Sequence, residues 1–201
     1  MVDTSQADAR DGVLQHLGVA TLYTIVSIVV FGLVYPIVLT LISELIFPNQ
    51  ANGSFVTVGG KIVGSDIIGQ LWTKPQYFHG RPSAAGKGYD PTATGGTNLG
   101  PTSQKLIDAT RATIAAVRKE NPGATGPIPM DLVTTSASGI DPDISPSAAY
   151  YQSARVAAAR KIDIDRVRGI IAAHVHPREL GFLGEPRVNV LELNLALDEQ
   201  R

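Results

Sequence analysis

No charged side chain occurs between Asp11 and Glu44: the 32 residues from Gly12 to Ser43 contain no Asp, Glu, Lys or Arg. Leu, Val and Ile dominate from Leu17 to Leu41 and fall on every face of a helical projection. A helix of about 20 apolar residues crosses the hydrocarbon core of a bilayer. An apolar surface all the way round suits lipid better than a globular core, which needs only one stripe. The sequence therefore predicts one membrane-spanning helix over residues 13–47, after a short tail of residues 1–12 and before a domain of residues 48–201. Thr21, Thr24, Ser27 and Thr40 can bond their hydroxyls within the helix, and Tyr23 and Tyr35 suit the interfaces. Pro36 predicts a kink or the end of the regular helix. A cleaved signal would have a shorter apolar region of about 7–15 residues and a small residue at −3, where Asn49-Gln50-Ala51 offers Asn. Arg10 lies nearer the span than Lys61, the first base on the other side, which favours a cytoplasmic tail and a domain outside.

The remainder excludes several classes. The chain carries 17 basic and 18 acidic side chains, net −1, without the basic excess that a nucleic-acid face requires. It has no cysteine, so disulfides, thiolate metal sites and a cysteine nucleophile are ruled out.

The domain reads as mixed α+β. Phe55–Val58, Gly59-Gly60 and Lys61–Val63 have the form of a two-residue hairpin, with glycines where positive φ is needed. Thr102 or Ser103 can cap a helix running to Glu120, its apolar face made by Leu106, Ile107, Ile114 and Val117. Asp131–Thr135 resembles a short strand. Ser145-Pro146 places a cap before a proline at the first helical position, opening a helix to about Lys161. Asp163 caps another, carrying Val167, Ile170, Ile171 and Val175 and ended by Pro177. Alternating Leu191, Leu193, Leu195 and Leu197 predict a last strand over Arg187–Leu197, in which Val188 and Val190 are out of phase and call for a bulge or a strand buried on both faces.

Most motifs for chemistry fail on spacing. Gly80–Gly88 has five residues where a phosphate-binding P-loop has four, and a glycine where the P-loop hydroxyl belongs. Gly95, Gly96 and Asn98 form a glycine loop ahead of a helix, able either to offer backbone N–H groups to an anion or simply to shape a turn. His174 and His176 have no acidic or histidine partner at ligand spacing. Asp141 and Asp143 lack the glycine and distal glutamate of a calcium loop, so Asp141 and Ser145 suit turn formation and capping. No Gly-x-Ser-x-Gly is present. One helix face remains: Tyr151, Gln152 and Arg155 lie three and four positions apart, an aromatic plane beside a guanidinium, able to stack a base, to clamp a carboxylate or to sit in solvent.

A series of short signatures covers the chain from the span to the C-terminus: Phe47-Pro-Asn-Gln-Ala-Asn-Gly-Ser54, Gly64-Ser-Asp-Ile-Ile-Gly-Gln70, Tyr77-Phe-His-Gly-Arg-Pro-Ser83, Gly95-Gly-Thr-Asn-Leu-Gly100, Val133-Thr-Thr-Ser-Ala-Ser-Gly139-Ile-Asp141, Gln152-Ser-Ala-Arg-Val-Ala157 and Val188-Asn-Val-Leu-Glu-Leu-Asn-Leu-Ala-Leu197. In order and spacing together the chain resembles the KdpC family, the C subunits of bacterial Kdp potassium-transporting ATPases. One small departure is Thr97, where the family usually has serine. The resemblance implies an accessory subunit of a pump in the bacterial inner membrane. Its partners would be a potassium-channel-like subunit, a P-type ATPase subunit that hydrolyses ATP, a small single-helix subunit and the bilayer. It implies no cofactor of its own, with ATP, magnesium and potassium acting through the complex. It also implies a role as a catalytic chaperone that raises the ATP affinity of the hydrolysing subunit, and a stabilising role near the potassium entrance. This chain lacks the phosphorylation motif Asp-Lys-Thr-Gly-Thr, so the hydrolysing role falls to another subunit. Within the signatures Tyr77, His79, Arg81 and Ser83, with Asp141 and Ser145, are candidate structural positions. Tyr151, Gln152, Arg155, Gly95, Gly96 and Asn98 are candidate nucleotide or partner contacts. The alternative is a free-standing anchored domain that binds a small ligand at the Gly95-Gly96 loop.

Overall fold

The computed structural model describes residues 5–199, with side chains from Gly12 onward. Contacts divide the chain into two units, Met1–Ser54 and Phe55–Arg201.

The first unit is the apolar helix. Helix α1 (Ser5–Val29) passes through a π-helical turn (Val30–Val34) into α2 (Tyr35–Ile46). The π turn lies just before Pro36, whose ring removes one backbone donor and crowds the preceding turn; the helix absorbs this by a local change of pitch and continues. Gly12–Ile46 is apolar enough to cross a membrane, and none of its most apolar window is buried against protein. Thr24 and Thr40 donate to Ala20 O and Pro36 O, each at 2.8 Å, as expected for hydroxyls without water. A short turn, α3 (Pro48–Ala51), closes the unit: Asn52 Nδ2 donates to Glu44 Oε2 at 3.0 Å, and Ser54 N to Asn49 O at 2.9 Å.

The second unit is α+β, with helices outweighing two small antiparallel sheets. Strands β1 (Phe55–Val58) and β2 (Lys61–Ser65) form the expected hairpin, with Gly59 and Gly60 at φ 58° and 78°. Helix α4 (Gln104–Glu120) follows Ser103, then a 3-10 turn (Met130–Leu132), β3 (Asp143–Ile144), α5 (Pro146–Arg160), α6 (Ile164–Ala173), β4 (Val188–Asn189) and α7 (Val190–Glu199). Ser145 and Asp163 cap α5 and α6 through Ala148 N and Asp165 N. Ser103 is the N-cap of α4, but its side chain makes no capping bond. The core is built from Phe78, Ile144, Val156, Val167, Ile171, Val188, Leu193 and Leu197 on β3, α5, α6, β4, α7 and the loop before α4.

Of two strands expected from sequence, one does not form and the other is cut to two residues. Residues 131–135 are a 3-10 turn and loop, because Asp131 turns its carboxylate to the start of α5, accepting from Ser145 N at 2.6 Å and Ser145 Oγ at 3.1 Å. The C-terminal strand is only Val188–Asn189; the leucines that follow are helical. Asn189 Oδ1 accepts from Leu191 N and Glu192 N at 3.0 and 3.2 Å, which caps the new helix. Val190, Leu193, Asn194 and Leu197 are then buried at helical spacing, which removes the need for a bulge.

Candidate functional site

The segment Tyr77–Ser83 forms neither helix nor strand, yet Phe78 at its start is wholly buried. Its backbone polar groups need partners, and side-chain amides provide them. Asn194 of α7 accepts from Phe78 N at 2.8 Å and donates to Phe78 O at 3.0 Å. Gln152 of α5 does the same for His79, accepting from its N at 2.9 Å and donating to its O at 3.0 Å. The two carboxamides act as rungs of a ladder that no strand supplies.

Two guanidinium groups extend this tie. Arg155 donates to Pro75 O (2.7 Å), Tyr77 O (2.9 Å), Asn121 Oδ1 (3.0 Å) and Gln152 Oε1 (2.6 Å). Burial lowers its pKa to about 10, so it stays charged at neutral pH. Arg160 donates to Gln76 O, Leu197 O and Asp198 Oδ1 at 2.8–2.9 Å and lies 5.1 Å from the centre of the Tyr77 ring. Tyr77 donates to Asp198 Oδ2 at 2.9 Å and packs beside Trp72, ring centres 4.7 Å apart.

The far end of the segment is pinned by charge and hydroxyls. Arg81 pairs with Asp141 at 3.0 Å and donates to Thr135 O at 3.3 Å. Ser83 Oγ donates to Gly139 O and accepts from Tyr89 N at 2.8 Å. Tyr89 donates to Arg81 O at 2.7 Å; burial, with the Asp141 carboxylate nearby, raises its pKa to about 12. Gly139 has φ 71°, and a Cβ there would lie 2.7 Å from Ala85 Cβ and 2.9 Å from Gly95 O, so only glycine fits. Beside this segment lies a cleft of about 310 Å³, bordered by Trp72, His79, Arg81, Lys87, Tyr89 and the Thr113–Glu120 side of α4. His79 faces it with Glu120 at 3.4 Å; burial, and then Arg155, hold its pKa below 6.5.

The structure thus brings together Tyr77, His79, Arg81, Ser83 and Asp141, with Ser145 at the neighbouring helix start. Gln152 and Arg155 join them from the other side, but inside the fold: Gln152 is 2% exposed, and Arg155 is turned to backbone carbonyls. The surface-facing pair expected of Tyr151 and Arg155 is replaced by this internal tie, since four acceptors outcompete a ring face for the guanidinium. Tyr151 packs against the core and borders a separate hollow with Tyr150, Ile164 and Arg168. Gly95 donates to Ser138 O at 2.8 Å, and Gly96 lies over Ala137, which sets the glycine loop against the Ser136–Gly139 strip. Asn98 has φ 52° in the same loop. His176 pairs with Glu192 at 2.9 Å; among the described residues no group of three or more His, Asp or Glu gathers for a metal. Asn194, Arg160 and Asp198 belong to the site without the sequence pattern singling them out for it. An asparagine among leucines was the available signal, because a buried amide must be bonded.

An apolar helix able to span a bilayer, followed by a small domain cross-tied by amides and guanidinium groups, defines a membrane-anchored α+β protein. Its sequence matches the family described as KdpC, K+-transporting ATPase, c chain, over residues 17–199, and the chain belongs to that family. It is 54% identical to the potassium-transporting ATPase KdpC subunit of Myxococcus xanthus over 177 residues, covering 88% of this chain and 84% of that one. The corresponding subunit of Koribacter versatilis is 50% identical over 184 residues, with 92% and 94% covered. That of Acidobacterium capsulatum is 52% identical over 186 residues, with 92% and 99% covered.

Proposed function

We propose that this chain serves as an accessory, non-catalytic subunit of a potassium-transporting ATPase. In this reading its helix crosses the bacterial inner membrane, its tail is cytoplasmic and the domain lies outside. The domain packs against a potassium-channel-like subunit and holds it together with the P-type subunit that hydrolyses ATP and a small single-helix subunit. ATP, magnesium and potassium act through those partners, and this chain raises the ATP affinity of the hydrolysing subunit by stabilising the assembly. The observation that carries the reading is family membership over nearly the whole chain, joined to a site in which Gln152 and Arg155 are spent on internal ties. Ser83, Tyr89 and Thr113, the hydroxyl residues bordering the cleft, all donate to backbone carbonyls, which supports a structural role for them. A domain outside the membrane cannot touch cytoplasmic ATP, so the effect on affinity passes through the partners. The test is potassium-stimulated ATP hydrolysis by the complex prepared with and without this chain. A higher ATP requirement or dissociation without it supports the proposal; unchanged ATP dependence in an intact complex refutes it.

A further inference from the structure

The loop between α6 and β4 carries an uncovered apolar tip on a braced stem. His176 and Arg187 exchange backbone hydrogen bonds at 2.8 and 3.0 Å, and Glu179 and Leu183 do so at 3.0 and 2.9 Å. A turn closes the stem, with Gly181 N donating to Arg178 O at 3.0 Å. Arg178 pairs with Glu185 at 2.6 Å, and Arg187 pairs with Glu179 at 3.4 Å and with Asp143 of β3 at 3.5 Å. His176 is bonded to Glu192 of α7. A loop held in one shape before any contact loses little conformational freedom on docking. Its tip is Leu180, Phe182 and Leu183, which are 82%, 69% and 50% exposed. Leu180 also takes φ 53°, a conformation that costs a bulky residue energy and that glycine would adopt freely. Neither its backbone nor its side chain stabilises this chain, so the leucine serves a contact outside it.

Charge selects the kind of partner. Insertion into an anionic bilayer surface uses free basic side chains beside the apolar ones. Here both arginines of the loop are tied to carboxylates, and Glu179 and Glu185 are more exposed than the arginines they pair with. The loop and the groups it binds set Arg178 and Arg187 against Glu179, Glu185, Asp143 and Glu192, an acidic surplus even with His176 protonated. Anionic headgroups would repel it. A second copy meeting tip to tip is too small a contact, because a stable interface needs roughly 800 Å² per partner, far more than three side chains supply. The same limit requires a partner already held close by other contacts, as a subunit of one membrane assembly is. We infer that the tip Leu180–Leu183 docks into an apolar pocket of another protein subunit of the potassium-transporting ATPase, with its acidic flanks on N–H donors at the pocket rim. The inference rests on the subunit reading above and adds the element that makes the contact.

The test uses the complex purified through a tag on the full-length chain. The photoreactive p-benzoylphenylalanine replaces Phe182 and, separately, the exposed Lys119 of α4, and crosslinked species are identified by mass spectrometry. The expected result is an adduct with another ATPase subunit from position 182, several-fold stronger than from position 119. No adduct from 182, or adducts only with lipid or with a second copy of this chain, would overturn the inference. In parallel, Leu180→Asp combined with Phe182→Asp should lower the yield of co-purified subunits several-fold. The melting midpoint of the variant in detergent should match the wild type, because the tip is exposed within the chain; if it falls, the crosslinks decide. Full co-purification by this variant overturns the inference and leaves the subunit reading intact. A wild-type chain that emerges without other subunits overturns both.

Discussion

Replacing Gln152 by Ala separates an internal tie from a ligand-binding face. The change removes the acceptor of His79 N–H and the donor to His79 O, together with one acceptor of Arg155. A buried backbone group left without a partner costs about 1–3 kcal/mol. His79 is only partly buried, so each of its two groups counts at about 1 kcal/mol, and the lost packing of a side chain 2% exposed adds about as much. Arg155 retains Pro75 O, Tyr77 O and Asn121 Oδ1, so its charge is not stranded. The sum is about 3 kcal/mol. At 2–4 °C per kcal/mol for a domain of this size, the melting midpoint should fall by roughly 6–12 °C. Trp72 is the only tryptophan and lies against Tyr77, at the edge of the tie, so its fluorescence follows the transition in the full chain held in detergent. A midpoint within about 1 °C of the wild type, accompanied by a raised ATP requirement in the assembled complex, would refute the reasoning and restore Gln152 as a ligand contact.

Three further outcomes are expected. Arg160→Ala strips a donor from Gln76 O, Leu197 O and Asp198, and should cost about 2–3 kcal/mol in urea unfolding; partial exposure of Asp198 limits the electrostatic share. Gly139→Ala forces a Cβ onto Ala85 and the Gly95 carbonyl at a positive φ, and should cost about 2 kcal/mol or more, read as a lower yield of folded protein and a lower melting midpoint. Burial and Arg155 hold His79 below 6.5, so the unfolded chain takes up a proton that the folded chain refuses. Its contribution is fully present above pH 6.5 and is lost as pH falls from there toward the folded value. The melting midpoint should therefore drop on acidification from pH 7 to 5.5, and His79→Gln should flatten that slope. Asp66 and Asp143, whose carboxyls burial raises above 3.8, pull the opposite way at lower pH, so the difference between the two proteins is the quantity to read.

The parts legible in the sequence were those governed by local rules. A charge-free run identifies the span, Gly59-Gly60 the hairpin, and Ser145-Pro146 and Asp163 the helix starts, because each depends on neighbours in the chain. The last helix was hidden because Leu191, Leu193, Leu195 and Leu197 satisfy the period of a strand. The capping bonds of Asn189 are local, but the Asp66 carbonyl that holds its amide and the Phe78 backbone that bonds buried Asn194 lie far along the chain. The site was half legible for the same reason. Arg81 and Asp141 stood out as charged residues in loops, but their pairing bridges 60 positions, and Gln152 meets His79 across 73. Helical spacing correctly places Gln152 and Arg155 on one side of α5 without revealing that this side faces inward.

The claim that this chain works as one subunit of a potassium-transporting ATPase is tested most directly by affinity purification of the full-length tagged chain from native membranes in a mild detergent. The account expects it to emerge in a complex with a channel-like membrane subunit and a subunit carrying an Asp-Lys-Thr-Gly-Thr motif, with potassium-stimulated ATP hydrolysis in the same fraction. Recovery of a lone chain, with hydrolysis in a separate fraction containing the other subunits, would contradict it and favour a free-standing anchored domain.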